Sequence, residues 1–353
     1  MLFNKIIGQD QVKRILTTLF EQKHFPPLLF VGPKGVGKRT TAINFAQIIN
    51  CPEQSDIIQN QCQRCQQIGN LTHPDIKMLF PIPTGISSES DETKILQEVG
   101  NNLQSYALGQ IKPPIPSTSL IPIRMIRWIK QEMAFKPMVS RYKIIIILNI
   151  EKMNQEAANA FLKTLEEPQQ ETVFILTTER IFSLLPTIRS RCQTIRFSSI
   201  DYGLVMQYLI MHKNISEPEA KLAATIAEGS LRKALDYLFN QETFLPHQEL
   251  VKLLDRTQIS SLESLKTITD MEYDTINPEK IISHFIFIYR NALQSKLSIP
   301  CSYDTDIVKK ITKTFSVEQI TSKISYLLNV LRDTETHLNK KLFLFSILSK
   351  VRF

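Results

Sequence analysis

The residues best suited to chemistry form a glycine-rich segment that follows a short apolar run at residues 28–31. The spacing G-x-x-x-x-G-K is carried by Gly32, Gly35, Gly37 and Lys38. Glycines permit the backbone angles with which a loop wraps its N–H groups around a phosphate, and the lysine adds a point charge. Apolar residues at helical spacing follow. The segment therefore predicts a strand, a phosphate-binding loop and a helix.

The sequence departs from a working ATPase loop at the position that normally holds metal. The residue after the lysine, where Ser or Thr binds Mg²⁺, is Arg39. Thr40 stands one residue too late, and because successive helical residues point about 100° apart, it does not replace the missing hydroxyl. Arg39 instead brings a cation to the place where the metal would bind.

The carboxylates that an ATPase carries at another strand are also missing from their usual places. Residues 143–149 predict a strand that is buried on both faces, as in a parallel sheet. Its end carries Leu148 and Asn149, where such an enzyme has Asp for Mg²⁺ and often Glu to activate water. Glu151 lies beyond the strand end and is not assigned as the base. We therefore expect a nucleotide-binding fold whose own hydrolysis is impaired or lost.

Three cysteines have the spacing of a metal knuckle. Cys62 and Cys65 form a C-x-x-C pair, and Cys51 precedes them. A structural zinc site takes four ligands in tetrahedral geometry, and the neighbouring sequence offers no obvious fourth. The pattern is equally compatible with free thiols.

Polar and basic residues follow two further predicted strands. Residues 173–177 predict a strand whose end, at Thr177 and Thr178, faces either a bound phosphate or water. A short helix then leads to Arg191, ahead of a strand at residues 193–197. An arginine at such a tip is ordinarily a solvated cation. It has a role only where it faces a neighbour's nucleotide.

The composition is that of a globular protein with two or three domains. The chain has 353 residues, 43% hydrophobic and 22% charged, and no apolar run approaches the ~18 residues of a membrane span. Its five cysteines do not resemble a disulfide framework, so we expect a soluble, cytoplasmic protein without membrane contact. The net charge of +8 permits contact with nucleic acid, but without a dense basic arm it favours solvated surfaces.

Hydrophobic periodicity predicts an α/β domain followed by helices. Residues 1–198 form the parallel-sheet domain, with a cysteine segment at 51–65 and a proline-rich insertion at 81–122. Residues 199–242 predict a small lid of three short helices, and residues 243–353 predict helices that pack within the chain or between chains.

Two helix starts carry local signals. Asn154 is a good N-cap for a helix over residues 155–166, which Pro168 ends. Ser216 and Glu219 have the spacing of a capping box. Within the insertion, residues 94–108 predict one more helix.

Together these stretches resemble the AAA+ subunits of the bacterial DNA polymerase III clamp loader, of the delta-prime type. The matching stretches are residues 6–9 (IIGQ), the loop 32–40, the cysteine segment up to 73–75 (HPD), residues 153–168 with the run LKTLEEP, residues 190–192 (SRC) and residues 229–235 (GSLRKAL). The resemblance covers residues 1–240. It implies an AAA+ P-loop domain, a helical lid and an all-α collar for oligomerisation.

The resemblance also implies roles for individual residues. Arg191 would be an arginine finger that acts in trans on the ATP site of an adjacent motor subunit, and Arg232 matches the lid arginine that senses nucleotide in cis. The family's zinc module has four cysteines. The three cysteines above occupy three of those positions, and Gln59 occupies the fourth.

The function implied is that of a non-hydrolysing subunit in a pentameric ring with gamma/tau-like motor subunits and a delta-like subunit. It would help to open the sliding clamp for loading onto primer-template DNA. ATP or ADP would bind without hydrolysis at a loop formed by Gly32, Gly35, Gly37, Lys38, Arg39 and Thr40. The alternatives are an active gamma/tau-like ATPase and a zinc-bearing DNA-binding protein unrelated to clamp loading.

Overall fold

The computed structural model describes residues 3, 6–52, 62–82, 119–166, 171–239, 254, 278–299, 306–332 and 340–351. The chain divides into two compact units, Met1–Leu204 and Val205–Phe353. Gln59, the predicted helix at residues 94–108 and most of the proline-rich insertion lie outside the described residues.

The first unit alternates strands and helices, as predicted. In chain order its elements are α1 Asp10–Gln22, β1 Leu28–Val31, α2 Lys38–Asn50, α3 Gln63–Gly69, β2 Ile76–Leu79, α4 Ile123–Met133, β3 Lys143–Ile147, α5 Gln155–Glu166, β4 Thr172–Thr178, α6 Pro186–Ser190 and β5 Gln193–Arg196. Single 3-10 turns follow β3 and β4 at Ile150–Lys152 and Ile181–Ser183. Helix α7, Tyr202–Lys213, follows the sheet.

The five strands form one parallel sheet in the order β2-β3-β4-β1-β5. Every residue of β1 and β3 is buried, which for β3 confirms the prediction of a strand covered on both faces. Because all strands run the same way, the segments that leave β1, β3 and β4 emerge at one edge of the sheet. That edge holds the glycine-rich loop, Asn149 and the Thr177–Thr178 pair.

The start of one helix and the end of one strand show how single residues determine where an element begins or ends. Helix α5 has the predicted bounds, and Asn154 Oδ1 accepts a hydrogen bond from Ala157 N at 2.9 Å, which confirms the N-cap. Strand β3 ends at Ile147, two residues before the predicted end. The reason is Asn149, whose φ of 52° is incompatible with extended backbone.

The N-terminal segment packs beside the loop. The Gln9 side chain donates to Ser198 O at 2.6 Å and to Val36 O at 3.4 Å, and it accepts from Ser198 N at 3.2 Å. Helix α1 begins only at Asp10, because Gly8 and Gln9 both have positive φ. One side chain thus joins the chain before α1, the glycine-rich loop and the segment after β5.

The second unit is helical throughout its described part. Its helices are most of α7, then α8 Glu217–Ala227, α9 Leu231–Phe239, α10 Pro278–Lys296, α11 Asp306–Thr314, α12 Val317–Arg332 and α13 Lys340–Val351. Buried apolar side chains from α10 to α13 form one core cluster. The predicted capping box at the start of α8 is wrong. Ser216 Oγ donates to Glu219 Oε2 at 2.7 Å, and the Ser216 side chain accepts no backbone N–H of the helix.

Candidate functional site

The glycine-rich loop between β1 and α2 has the backbone of an anion site. Gly35 and Gly37 have φ of 80° and 103°, as a phosphate loop requires. A Cβ built on Gly37 would meet no heavy atom within 4 Å. Among the residues that the structure describes, the N–H groups of Gly35 and Gly37 have no backbone acceptor. The loop therefore presents open space and unused donors at the N-terminus of α2.

Lys38 lies in the first turn of α2 and folds back onto this loop. Its Nζ donates to Gly32 O at 2.6 Å and to Pro33 O at 2.7 Å, and only 8% of the residue is exposed. Burial lowers the pKa of Lys38, the carboxylates of Glu179 and Glu151 act in the opposite direction, and Lys34 adds to the lowering. The carbonyl groups of Gly32 and Pro33 thus hold the Lys38 ammonium group at the loop.

The position next to Lys38 does not supply a metal ligand. Arg39 is half-buried and Thr40 is exposed on the first turn of the helix. Leu148, at the end of β3, is buried among apolar residues. The Asn149 amide donates to Glu151 Oε1 at 3.2 Å. These residues do not fit the hydroxyl and carboxylate set that holds magnesium in a P-loop ATPase.

Glu151 is the residue at this edge that sequence reasoning set aside. The 3-10 turn after β3 brings it back toward the loop, where its Oε1 also accepts from Glu179 N at 3.3 Å. Its Oε2 is buried and has no hydrogen-bond partner among the described residues. The positive φ of Asn149 makes this return possible, and an asparagine directly after a buried strand was the available sequence signal.

Thr177 and Thr178 are used within the chain. Thr177 Oγ1 accepts from Asn149 N at 3.1 Å, and Thr178 Oγ1 accepts from Arg180 N at 3.1 Å. Both residues are buried. They tie the end of β4 to the turns that follow β3 and β4.

The three cysteines meet at the C-terminal end of α2. Cys51 Sγ and Cys62 Sγ are 3.9 Å apart, and the sulfurs of Cys51, Cys62 and Cys65 all lie within 4.8 Å of one another. Zn–S bonds of about 2.3 Å at tetrahedral angles place sulfurs about 3.8 Å apart. The three thiols therefore fit three positions of a zinc site.

Hydrogen bonding and burial shift the pKa values of two of these thiols in opposite directions. Burial raises the pKa of Cys62, but the N–H of Cys65 and the neighbouring thiols outweigh it and lower that pKa. Burial and the two neighbouring sulfurs raise the pKa of Cys65. Cys192 lies apart from the cluster, and burial raises its pKa to about 12.

Arg191 ends α6 at the surface of the first unit. Its guanidinium donates to Glu166 Oε1 at 2.6 Å and to Thr187 O at 3.0 Å. The side chain is 35% exposed and that of Glu166 is 47% exposed. Arg191 is therefore partly exposed, and within the described residues its guanidinium bonds to Glu166 and Thr187 and not to the glycine-rich loop.

Arg232 lies in the second unit, on α9. Its Nε forms an ion pair with Asp236 Oδ1 at 3.0 Å, one turn along the same helix.

A family model described as DNA polymerase III, delta subunit matches residues 8–201, more than half of the chain. The chain belongs to this family. With it the prediction of an AAA+ clamp-loader subunit is confirmed, and so is a P-loop parallel-sheet domain followed by helices.

Three curated relatives carry names from the same polymerase. The tau subunit of Bacillus subtilis is 25% identical over 83% of this chain and 50% of its own length. The delta' subunit of B. subtilis is 27% identical over 70% of this chain and 64% of its own length, and that of Pseudomonas aeruginosa is 30% identical over 48% and 42%. The chain thus spans less than two thirds of each relative.

Among solved structures, a DNA polymerase III gamma subunit-related protein of Thermotoga maritima matches with a TM-score of 0.49 and 21% identity, over 97% of this chain and 99% of that one. Within the described residues, no helix is both long and apolar enough to cross a membrane.

Proposed function

We propose that this chain is a clamp-loader subunit of the delta-prime type, which does not hydrolyse ATP and lends Arg191 to a neighbouring motor subunit. The observation that carries the proposal is a mismatch within one site. The glycine loop and Lys38 are in place, but Arg39, Leu148 and Asn149 stand where an ATPase binds magnesium. Family membership supports the polymerase III assignment.

Arg191 is well placed for a role in trans. Its pairing with Glu166 is half-exposed, and such ion pairs contribute about 0–1 kcal/mol to stability. Breaking this pair to reach a phosphate on an adjoining subunit therefore costs little. A charge-assisted contact to a phosphoryl group in a dry interface is stronger, and an arginine finger of this kind accelerates hydrolysis by roughly 10³–10⁵.

The partners follow from this role. The chain would occupy a pentameric ring with gamma/tau-like motor subunits and a delta-like subunit, act on the sliding clamp and on primer-template DNA through the complex, and work in the cytoplasm without membrane contact. Residues 199–242 would serve as the lid, in which Arg232 would sense nucleotide, and residues 243–353 as the collar.

Two ligands belong to the proposal. ATP or ADP would bind at the loop without being hydrolysed. Zinc would bind to Cys51, Cys62 and Cys65, whose sulfur separations suit it, and would tie the start of α3 to the end of α2.

The experiment compares ATP turnover by the motor subunits with and without this chain. We expect the purified chain to have no measurable turnover, its addition to stimulate the complex, and Lys38→Ala in this chain to leave the stimulated rate unchanged. Turnover by the purified chain that Lys38→Ala abolishes would overturn the proposal.

An active gamma/tau-like ATPase is the second candidate, because Glu151 Oε2 is buried without a hydrogen-bond partner in the part of the chain that the structure describes, and the charge of Glu151 acts on Lys38. The same assay separates the two. An active enzyme would lose its own turnover in Glu151→Gln as well as in Lys38→Ala.

A further inference from the structure

We propose that the glycine loop binds a nucleoside polyphosphate without a divalent cation, and that Arg39 supplies the positive charge that magnesium would otherwise bring. This inference rests on the proposed function, because it concerns the nucleotide loop of the same subunit. It goes further by naming the ionic form of the ligand, which is free nucleotide and not its magnesium complex.

The loop keeps the parts that bind the phosphates themselves. Within the described residues, the N–H groups of Gly35 and Gly37 find no backbone acceptor, and the space in front of Gly37 is open. Buried or half-buried backbone donors are rarely left unpaired, so an external acceptor is expected there. A phosphate oxygen is the acceptor that suits a run of N–H groups at a helix N-terminus.

The charges around the loop suit a bare anion better than a metal complex. Lys34, Lys38 and Arg39 put three cations within six consecutive residues. Arg39 lies in the first turn of α2, directly after the lysine, and is half-buried. A magnesium ion at that position would meet a cationic side chain in place of the hydroxyl that normally binds the metal. Repulsion between the two cations therefore favours nucleotide that arrives without its metal.

Two carboxylates limit how much negative charge the loop accepts. Glu151 and Glu179 act on Lys38 strongly enough to oppose the fall of its pKa. Glu151 Oε1 already accepts from Asn149 Nδ2 and from Glu179 N. If Glu151 faced the phosphates as a plain negative charge, its neutralisation would strengthen nucleotide binding. If Glu151 were a metal ligand, its neutralisation would weaken nucleotide binding in magnesium. Whether nucleotide affinity rises or falls in a neutralised variant therefore tells a repelling charge from a metal ligand.

The test is calorimetric titration of the full chain with ADP, once in EDTA and once in excess magnesium chloride. We expect ADP to bind at least as tightly in EDTA as in magnesium. Arg39→Thr, which restores a hydroxyl after the lysine, should weaken binding in EDTA by about tenfold or more and make magnesium favourable. Glu151→Gln should tighten binding in EDTA. Arg14→Thr, an exposed change on α1, is the matched control and should alter neither titration.

Several results would overturn the inference. They are ADP binding that requires magnesium in the unaltered chain, no ADP binding in either buffer, an unchanged affinity in Arg39→Thr, and weaker magnesium-supported binding in Glu151→Gln. None of these touches the trans role of Arg191, which is measured as ATP turnover in the assembled complex. Failure of this inference and failure of the proposed function are therefore distinguishable.

Discussion

At the scale of single residues, Gly32 decides how closely the end of β1 approaches the segment after β5. A Cβ at this position would lie 2.5 Å from Phe197 O and 2.8 Å from Phe197 Cβ. Both atoms belong to a buried residue that packs against Phe30, so neither can move away cheaply. Gly32 is thus required by packing, whereas Gly37 is required by its backbone angle.

We expect Gly32→Ala to lower the free energy of unfolding by about 1–3 kcal/mol, because the clash must be relieved by backbone movement. Gly37→Ala meets no atom, so only the positive φ opposes it, at about 1–2 kcal/mol. Urea unfolding of both variants measures the difference. A Gly32→Ala protein as stable as the unaltered chain would contradict the close approach.

The three thiols of the cysteine cluster carry a separate prediction at this scale. We expect the purified chain to hold about one zinc per molecule, and Cys62→Ser to lose most of it because a three-sulfur site tolerates no further loss. Cys192→Ser is the matched control, since that thiol lies outside the cluster and should leave the zinc content unchanged. Metal analysis of the three proteins is the measurement. A zinc-free unaltered chain would contradict the assignment.

At the scale of elements, Asp75 holds the loop between α4 and β3. Its carboxylate accepts from the N–H groups of Met138, Val139 and Ser140 at 2.6, 2.8 and 2.7 Å. Burial raises the pKa of Asp75, but these three hydrogen bonds, with nearby His73, outweigh it and hold the pKa below its usual value. One carboxylate thus accepts the three backbone N–H groups of a segment that belongs to neither a helix nor a strand.

Because the folded pKa of Asp75 lies below the unfolded value of about 3.9, its contribution to stability is present above that pH and is lost as the pH falls through the folded pKa. We expect Asp75→Asn to lose about 2–4 kcal/mol near neutral pH and less in acid. Asp10→Asn, at an exposed pair with Lys13, should lose almost nothing. Urea unfolding across pH measures both. A loss that stays constant into acid would contradict this account.

Element boundaries followed from the sequence where local residues dictate them. Helix α5 was predicted to the residue because Asn154 caps it and apolar residues recur at helical spacing. Strand β3 was recognised but ended early at the positive φ of Asn149. Contacts between distant segments could not be predicted. The pairs Arg191–Glu166 and Asp75–Met138 join residues 25 and 63 positions apart, and nothing in either segment alone selects its partner.

The phosphate loop and its missing metal ligands were predicted from residue types, because those depend on spacing alone. The influence of Glu151 on Lys38 was not predicted, because it depends on the turn at Asn149, whose sequence signal was not used. The predicted domain limits, the role of Arg232 and the zinc site stay predictions.

At the scale of the whole molecule, we propose that this chain completes the active site of an adjacent subunit and does not hydrolyse ATP itself. A family model over residues 8–201 supports membership in the polymerase III assembly, and the loop lacks its own magnesium ligands. Function would then depend on what the surface of the first unit offers to the next subunit. Arg191, exposed and loosely paired, is the group that such an interface would use.

The most direct test is ATP turnover by the reconstituted complex that carries Arg191→Ala in this chain, with Arg196→Ala, an exposed change on β5, as the control. The account predicts intact assembly and a marked fall in turnover for Arg191→Ala, with a rate loss of roughly 10³ at the site that the arginine faces. The control should match the unaltered complex. An unchanged rate in a fully assembled Arg191→Ala complex would contradict the central claim.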